Sequence, residues 1–175
     1  MKKPLWLIIT IVLGQFLFAG NLKHGVVAGV DYLLTTHGNY FNPGIDAGYR
    51  LRLPLGQSKW KYGADVNVNW FLNKPGVTGT FVGLPIKLAL SRQFSPGSWT
   101  INTGLSVGGY FSILKYDSVT GKASDLILPS PYLELGPTLG NNSQILLILS
   151  SSLIFETGGN GSFPVLLSAR TAYVF

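Results

Sequence analysis

The chain lacks several features that common protein classes need. It contains no cysteine, so disulfide frameworks, thiolate metal sites and thiol nucleophiles are excluded. Only 11% of its residues are charged, against about 25% in ordinary soluble domains. Yet beyond the N-terminus it has no apolar run of the ~20 residues that a membrane helix needs. Apolar residues that are abundant but interrupted predict strands in which apolar and polar side chains alternate.

Residues 1–20 have the layout of a secretory signal peptide. Lys2 and Lys3 provide a positive start, and the uncharged stretch that follows ends in small residues at Gly20. We therefore expect a cleavable export signal over 1–20 and a β-barrel domain over 21–175. An uncleaved membrane anchor is the alternative, because the uncharged stretch approaches the minimum length of a membrane span.

The remaining chain consists of extended segments separated by turn residues. Its 22 glycines and 10 prolines are typical of many turns and few long helices. Most segments exceed the ~5–6 residues of soluble strands and reach the ~9–11 that cross a bilayer at a tilt. We predict strands near residues 25–36, 44–55, 59–72, 80–94, 99–114, 129–139, 144–157 and 163–175. Short connections alternate with longer ones, of which 115–128 is the longest, as in outer-membrane barrels.

Each predicted strand has a bulky apolar face and a small or charged face. In the segment 59–72, apolar residues from Trp60 to Trp70 alternate with lysines, Asp65 and asparagines. Inside the predicted strands every charged residue except Arg92 lies on the polar face. The interior of a barrel of ~8 strands is only just wide enough to be filled by side chains, so it cannot hold the bulky face. This argues against a soluble barrel and predicts that the bulky face points toward lipid.

Aromatic residues on the apolar face concentrate near the strand ends, as expected where a barrel meets the two membrane interfaces. One rim is predicted to carry Trp60, Tyr62, Phe94, Trp99, Tyr173 and Phe175, and the other Tyr32, Trp70, Phe111 and Phe155. The sequence therefore predicts an all-β protein, an eight-stranded antiparallel up-and-down transmembrane β-barrel in the bacterial outer membrane.

Two segments and the C-terminus resemble a known family. Residues 80–88 (TFVGLPIKL) and 132–140 (YLELGPTLG) resemble strands of the small outer-membrane β-barrel domain family of Bacteroidota, which includes PorT-like proteins. The alternating residues that end at Phe175 resemble the C-terminal signal by which outer-membrane barrels are recognised for assembly. The resemblance covers roughly residues 24–175 and implies location and fold. It implies little about activity, because that family is functionally mixed.

Charged residues at mid-depth of the predicted lumen form the most specific candidate site. With simple up-and-down pairing, acids and bases nearly alternate around a ring of Asp31, Arg50, Asp65, Lys87, Glu134 and Arg170. Charges in a narrow lumen are costly unless they are paired. The alternation therefore predicts a plugged barrel whose charges are structural. The alternative reading is a binding or proton-linked site.

The longest predicted loop supplies the candidate contacts with a partner. They are Tyr116, Asp117, Lys122 and Asp125. We expect a non-catalytic outer-membrane barrel with a structural or surface role, whose partners are outer-membrane lipid and another outer-membrane protein. A narrow small-solute channel and a lipid A-modifying enzyme are the alternatives.

Cofactor, metal and nucleic-acid sites are not expected from this sequence. His24 and His37 flank one predicted strand and do not converge as metal ligands would. The serines at 150–152 have no neighbouring base in the sequence that could activate a nucleophile. The basic residues are scattered, which argues against a nucleic-acid partner.

Overall fold

The computed structural model describes residues 22–34, 41–76, 78–116, 119–139, 143–157 and 163–175. These residues form a closed antiparallel barrel in which each strand pairs with its neighbours in sequence and the last strand pairs with the first. The strands are β1 (Lys23–Leu34), β2 (Phe41–Pro54), β3 (Trp60–Asn73), β4 (Thr80–Phe94), β5 (Trp99–Tyr116), β6 (Val119–Pro137), β7 (Gln144–Phe155) and β8 (Val165–Val174). The prediction of an eight-stranded antiparallel up-and-down barrel is confirmed.

The export signal predicted over 1–20 lies outside the described residues, as do His37 and Asp117. Within the described part of the chain, no helix has the length and apolar character needed to cross a membrane.

The bulky apolar side chains point outward and the charged ones inward. Val66 is 44% exposed and Leu88 55% exposed, whereas Asp31 and Arg50 are 1% and 2% exposed. This distribution follows from the two-residue period of a strand, which places all side chains of one parity on one surface of the barrel. The orientation predicted from the alternation is therefore confirmed.

Exposed aromatic residues lie at both ends of the barrel. The end that carries the first residues of β1 and the last of β8 is called the terminal end, and the opposite end is called the loop end. Outward-facing aromatics at the terminal end are Trp60, Phe94, Trp99, Tyr173 and Phe175, and those at the loop end are Tyr32, Trp70, Phe111 and Phe155. Each end of the outer surface thus has its own aromatic girdle.

The prediction of a long loop over 115–128 is wrong. Lys115 and Tyr116 end β5, and β6 begins at Val119, so most of the predicted loop is an antiparallel hairpin. The β5 register runs without interruption from Gly108↔Ile127 to Tyr116↔Val119. The apolar alternation fades in this part of the hairpin, at the loop end of the barrel, although the strands remain paired. Backbone pairing alone then maintains the strands.

The seam between β6 and β7 is interrupted near its middle. Pairing stops at Ile127↔Ile154 and resumes at Tyr132↔Ser150. Pro129 and Pro131 lie in this interval and have no backbone N–H to donate. The Ser130 hydroxyl accepts a hydrogen bond from the Leu153 backbone N–H at 3.1 Å and so satisfies a donor that the ladder leaves open.

Candidate functional site

Two arginines, two acids and an amide form the first of two ion clusters in the barrel interior. The Arg52 guanidinium donates to both carboxylate oxygens of Asp65, at 2.7 and 2.8 Å. Arg50 donates to Glu134 Oε1, and its Nε lies 3.7 Å from Asp65 Oδ1. Asn102 Nδ2 donates to Glu134 Oε2 at 2.9 Å. We call this group the arginine-pair cluster.

The arginine-pair cluster arises from strand register and from the narrowness of the lumen. Arg50 lies directly opposite Asp65 across the β2–β3 ladder, so their inward side chains meet as neighbours. Glu134 is on β6, which does not pair with β2. Its carboxylate therefore reaches Arg50 across the lumen, and both side chains are only 2% exposed. This cross-lumen pair ties opposite walls of the barrel together.

The second ion cluster contains one arginine and two acids and is called the aspartate-pair cluster. Arg170 Nη2 donates to Asp31 Oδ1 at 3.0 Å, and Arg170 Nε lies 3.0 Å from Asp46 Oδ1. Asn69 donates to both Asp31 and Asp46, and Asn67 donates to Asp46 at 2.6 Å. Amide donors supply the hydrogen bonds that one guanidinium cannot provide to two buried carboxylates.

Lys87 contributes a positive charge to the interior outside both clusters. Its ammonium donates to the Ser152 hydroxyl at 2.7 Å, from β4 to β7, and the lysine is 4% exposed. The arginine-pair cluster is neutral, since it has two guanidiniums and two carboxylates. The aspartate-pair cluster carries one excess negative charge. Lys87 therefore offsets that charge, which lowers the electrostatic cost of burying both clusters.

All six residues of the predicted ring lie in the barrel interior, but in a different arrangement from the ring. Arg50, Asp65 and Glu134 belong to one cluster, Asp31 and Arg170 belong to the other, and Lys87 joins neither. Sequence reasoning left Asp46 and Arg52 out of the ring. Asp46 and Arg52 lie at positions of β2 that alternate in step with Arg50, so their side chains also point inward. This alternation was the signal in the sequence that could have identified them.

An apolar cluster fills the loop end of the lumen, and sequence reasoning missed it. The Phe71 and Phe81 rings stack with centroids 5.0 Å apart, and Phe41 packs 5.4 Å from Phe81. The inward members of the loop-end apolar cluster are Leu33, Phe41, Phe71, Phe81, Tyr110, Ile127, Ile154 and Leu166. Phe71 has the same parity as the inward Asn69, so the pattern contained a signal for its placement.

Tyr110 shows how closely the loop-end apolar cluster is packed. Its phenol lies over Gly83 on the neighbouring strand, where an added β-carbon would lie only 2.6 Å from the Tyr110 Cζ. Only a glycine at position 83 therefore leaves room for the Tyr110 ring to lie against the inner surface of β4.

A second, smaller apolar group lines the inner wall formed by β7, β8 and β1. Its members are Val27, Leu146, Ile148, Ala172 and Val174.

A pocket of about 500 Å³ opens at the loop end above this apolar cluster. Its floor includes Leu33, Phe81, Tyr110 and Ile154, and the β5–β6 hairpin forms one wall. We call it the loop-end pocket. It is concave and largely apolar with a few polar groups, which is the usual character of small-molecule sites.

The predicted partner-contact residues are divided between the two sides of the hairpin. Asp125 is 8% exposed and accepts a hydrogen bond from the Thr157 backbone N–H at 3.0 Å, so it faces the interior and not a partner. Lys122 is exposed, and the backbone of Tyr116 ends β5. The structure thus leaves Lys122 on the accessible surface and places Asp125 in the loop-end pocket.

Solved structures share this fold. Neisserial surface protein A matches with a TM-score of 0.68 at 9% identity, over 87% of this chain and 96% of that chain. The attachment invasion locus protein Ail of Yersinia pestis matches with a TM-score of 0.57 at 8% identity, over 88% and 97% of the two chains. The outer membrane enzyme PagL matches with a TM-score of 0.50 at 12% identity, over 86% and 98%.

No family model and no curated protein matches this chain. At such low identities the likeness to these structures shows the fold alone. The chain is an eight-stranded barrel of the type found in small outer-membrane proteins. The resemblance to the PorT-like family stays a prediction.

Proposed function

We propose that this protein is an integral barrel of the bacterial outer membrane, with a filled lumen and a non-catalytic structural or surface role. The observation that carries the proposal is the apolar, aromatic-rimmed outer surface around a buried ionic interior. A soluble barrel would place these two surfaces the other way round. We propose further that the chain belongs to the PorT-like family and reaches the membrane through a cleavable export signal at 1–20.

The height of the apolar belt fits a membrane. On β4 the outward side chains from Val82 to Leu90 are apolar, a distance of roughly 26 Å at about 3.3 Å per residue. A strand tilt of about 40° reduces this to roughly 20 Å along the barrel axis, close to the ~25 Å apolar band of outer-membrane barrels. Closure supports the same placement, because a closed barrel leaves no unpaired sheet edge in lipid.

The filled interior supports a closed barrel rather than a channel. The two ion clusters span the lumen at mid-depth, with Glu134 joined to the opposite wall, and the loop-end apolar cluster lies beyond them. An ion in transit would have to displace guanidinium–carboxylate pairs that bury their own charges. We therefore expect no resolved single-channel steps when the protein is reconstituted in a planar bilayer.

The β5–β6 hairpin supports a surface role. Beyond the last β6–β7 pair, Leu126↔Phe155, β6 continues to Val119, and among the described residues Val119–Ala123 pair with β5 alone. A strand edge of this kind can accept another extended segment. The exposed Lys122 lies on this edge and would favour an acidic partner surface.

A buried contact between a serine and a lysine in the interior supports a non-catalytic role. Lys87 donates a hydrogen bond to the Ser152 hydroxyl at 2.7 Å, and the lysine is only 4% exposed. Ser152 is also fully buried. This contact therefore holds β4 to β7 and does not prepare a nucleophile.

A charge placed in the apolar belt tests the membrane assignment. Leu88 is 55% exposed near the middle of β4. In a barrel surrounded by lipid, Leu88→Arg should lower the free energy of unfolding by about 2–4 kcal/mol. Leu88→Ala is the matched control and should cost much less. Urea unfolding in phospholipid vesicles, followed by tryptophan fluorescence, measures both. If the arginine variant is as stable as the alanine variant, Leu88 does not face lipid and the proposal fails.

A further inference from the structure

The loop-end pocket has a composition that the structural role of the barrel does not explain. Its floor is apolar, from Phe81, Tyr110 and Ile154, while Asp125 and Glu156 place two carboxylates on its walls. Lys122 also lines it but lies on the outer parity of the hairpin, opposite the outward Ile113. A barrel that needs only a seal at this end would be expected to close it with further apolar residues.

Tyr110 contributes an aromatic ring to the floor of the pocket and a buried hydroxyl beneath it. It lines the pocket and is only 3% exposed, yet its hydroxyl has no hydrogen-bond partner among the described residues. A buried hydroxyl without a partner costs about 1–3 kcal/mol, a cost that phenylalanine in its place would avoid. The hydroxyl lies over Gly83, so the pocket is offered the Tyr110 ring, and the polar contacts of a ligand fall to Asp125.

Asp125 lies next to Tyr110 and is prepared to accept more hydrogen bonds. The two residues are direct cross-strand partners. Thr157 donates its backbone N–H to Asp125 Oδ1 at 3.0 Å, and its hydroxyl lies 3.5 Å from the same oxygen. A carboxylate has about four acceptor sites on its two oxygens, so this arrangement orients the group without saturating it. A charged donor in the pocket would find a fixed carboxylate.

From these observations we infer that the loop-end pocket binds a small molecule with an apolar, preferably aromatic, body and a protonated amine. The body would pack on Phe81, Ile154 and the Tyr110 ring, and the ammonium would donate to the Asp125 carboxylate. The volume of about 500 Å³ lies within the 300–1,000 Å³ of common ligand sites. An ammonium over an aromatic floor gains further attraction from the ring faces.

A set of three matched probes tests this inference on the full chain in nanodiscs. 2-Phenylethylamine, 2-phenylethanol and 3-phenylpropionate share one ring and differ in the charge of the head group. We expect the amine to bind at least about tenfold more tightly than the alcohol, as a charge-assisted hydrogen bond predicts, and the carboxylate to bind most weakly. NMR titration of the backbone amides of the β5–β6 hairpin measures the three affinities.

Two variants, each of which removes one carboxylate charge, distinguish a direct contact between the amine and Asp125 from a general electrostatic effect of the acidic pocket. Asp125→Asn should reduce amine affinity about tenfold and leave alcohol affinity unchanged, whereas Glu156→Gln should change amine affinity by less than about threefold. Equal losses in the two variants, or equal binding of amine and alcohol to the native chain, would overturn the inference.

A third variant tests whether the probes bind in the loop-end pocket. Ala123→Leu fills the pocket from an exposed position of β6 and retains every charge. It should abolish binding of both the amine and the alcohol, and unchanged binding would place the probes elsewhere and contradict the inference. Because the probes report on the loop end alone, a null result would leave the membrane assignment from Leu88→Arg unaffected.

Discussion

Two regions of the lumen exclude water by different means. At mid-depth, ion pairs and hydrogen bonds connect guanidiniums, carboxylates and amides within two ion clusters. At the loop end, stacked phenylalanines, aliphatic side chains and the Tyr110 ring fill the same cross-section mainly by apolar contact. The mid-depth region depends on complete pairing, because a buried charge that loses its partner is costly. The loop-end region depends on volume, because a truncated side chain leaves a cavity.

The difference implies that the two regions respond differently to mutation. In the ion clusters a change of charge should cost more than a change of size, since the clusters are connected by hydrogen bonds. In the apolar cluster the reverse should hold. The variants below test this contrast and are compared by urea unfolding of the protein in phospholipid vesicles.

The largest effect is expected from charge reversal at Asp31. This carboxylate accepts hydrogen bonds from Arg170 and Asn69 and is 1% exposed. Asp31→Arg would place a second guanidinium against Arg170, and we expect a loss of about 4–5 kcal/mol in unfolding free energy. Asp31→Asn keeps the size and some of the hydrogen bonding, and should cost about half as much. If reversal leaves the unfolding midpoint unchanged, the aspartate-pair cluster does not stabilise the barrel.

A smaller but clear effect is expected from a cavity in the apolar cluster. Phe71 is 1% exposed and stacks on Phe81. Phe71→Ala should cost about 3 kcal/mol, from lost burial and the cavity that remains. The matched control is Phe111→Ala, because Phe111 is 44% exposed on the outer surface, where lipid can fill the space. Equal losses in the two variants would show that the loop-end apolar cluster is not packed as a core.

The smallest effect is expected from exchanging one cation for another. Arg52 contacts Asp65 through two parallel hydrogen bonds, and a lysine can replace only one of them. Arg52→Lys should therefore cost about 1–2 kcal/mol. Arg92→Lys is the control, since Arg92 lies on the outer face with its guanidinium 5.3 Å from the Phe94 ring centroid, and it should change stability by less than about 0.5 kcal/mol. A cost at Arg92 equal to that at Arg52 would mean that the paired geometry contributes nothing.

The sequence contained enough information to predict the strands but not all of their ends. Seven predicted strands overlap the observed ones closely, because apolar and polar residues alternate along most of their length. β6 was placed ten residues too late, at 129 instead of Val119, because the first part of this strand lacks that alternation. Strand pairing there needs only backbone hydrogen bonds, which most side chains permit.

The sequence predicted which residues lie in the candidate site but not which of them pair with one another. Parity alone placed Arg50 and Glu134 in the lumen, yet their contact joins positions separated by 84 residues on strands that do not pair. Such a contact depends on the diameter and stagger of the closed barrel, which no local pattern encodes. The phenylalanines at 71 and 81 were overlooked for a different reason, since they have the inward parity but the composition of the outward face.

The amino-acid sequence by itself determined that each strand has a bulky apolar face and a small or charged face, and which of the two points outward. A strand repeats every two residues, and a lumen of this size cannot hold the bulky apolar residues of all eight strands. Closure of the barrel decided that Glu134 pairs with Arg50 across the lumen and that Arg170 of β8 pairs with Asp31 of β1. These contacts join residues far apart in the chain, so their geometry exists only once the last strand has paired with the first.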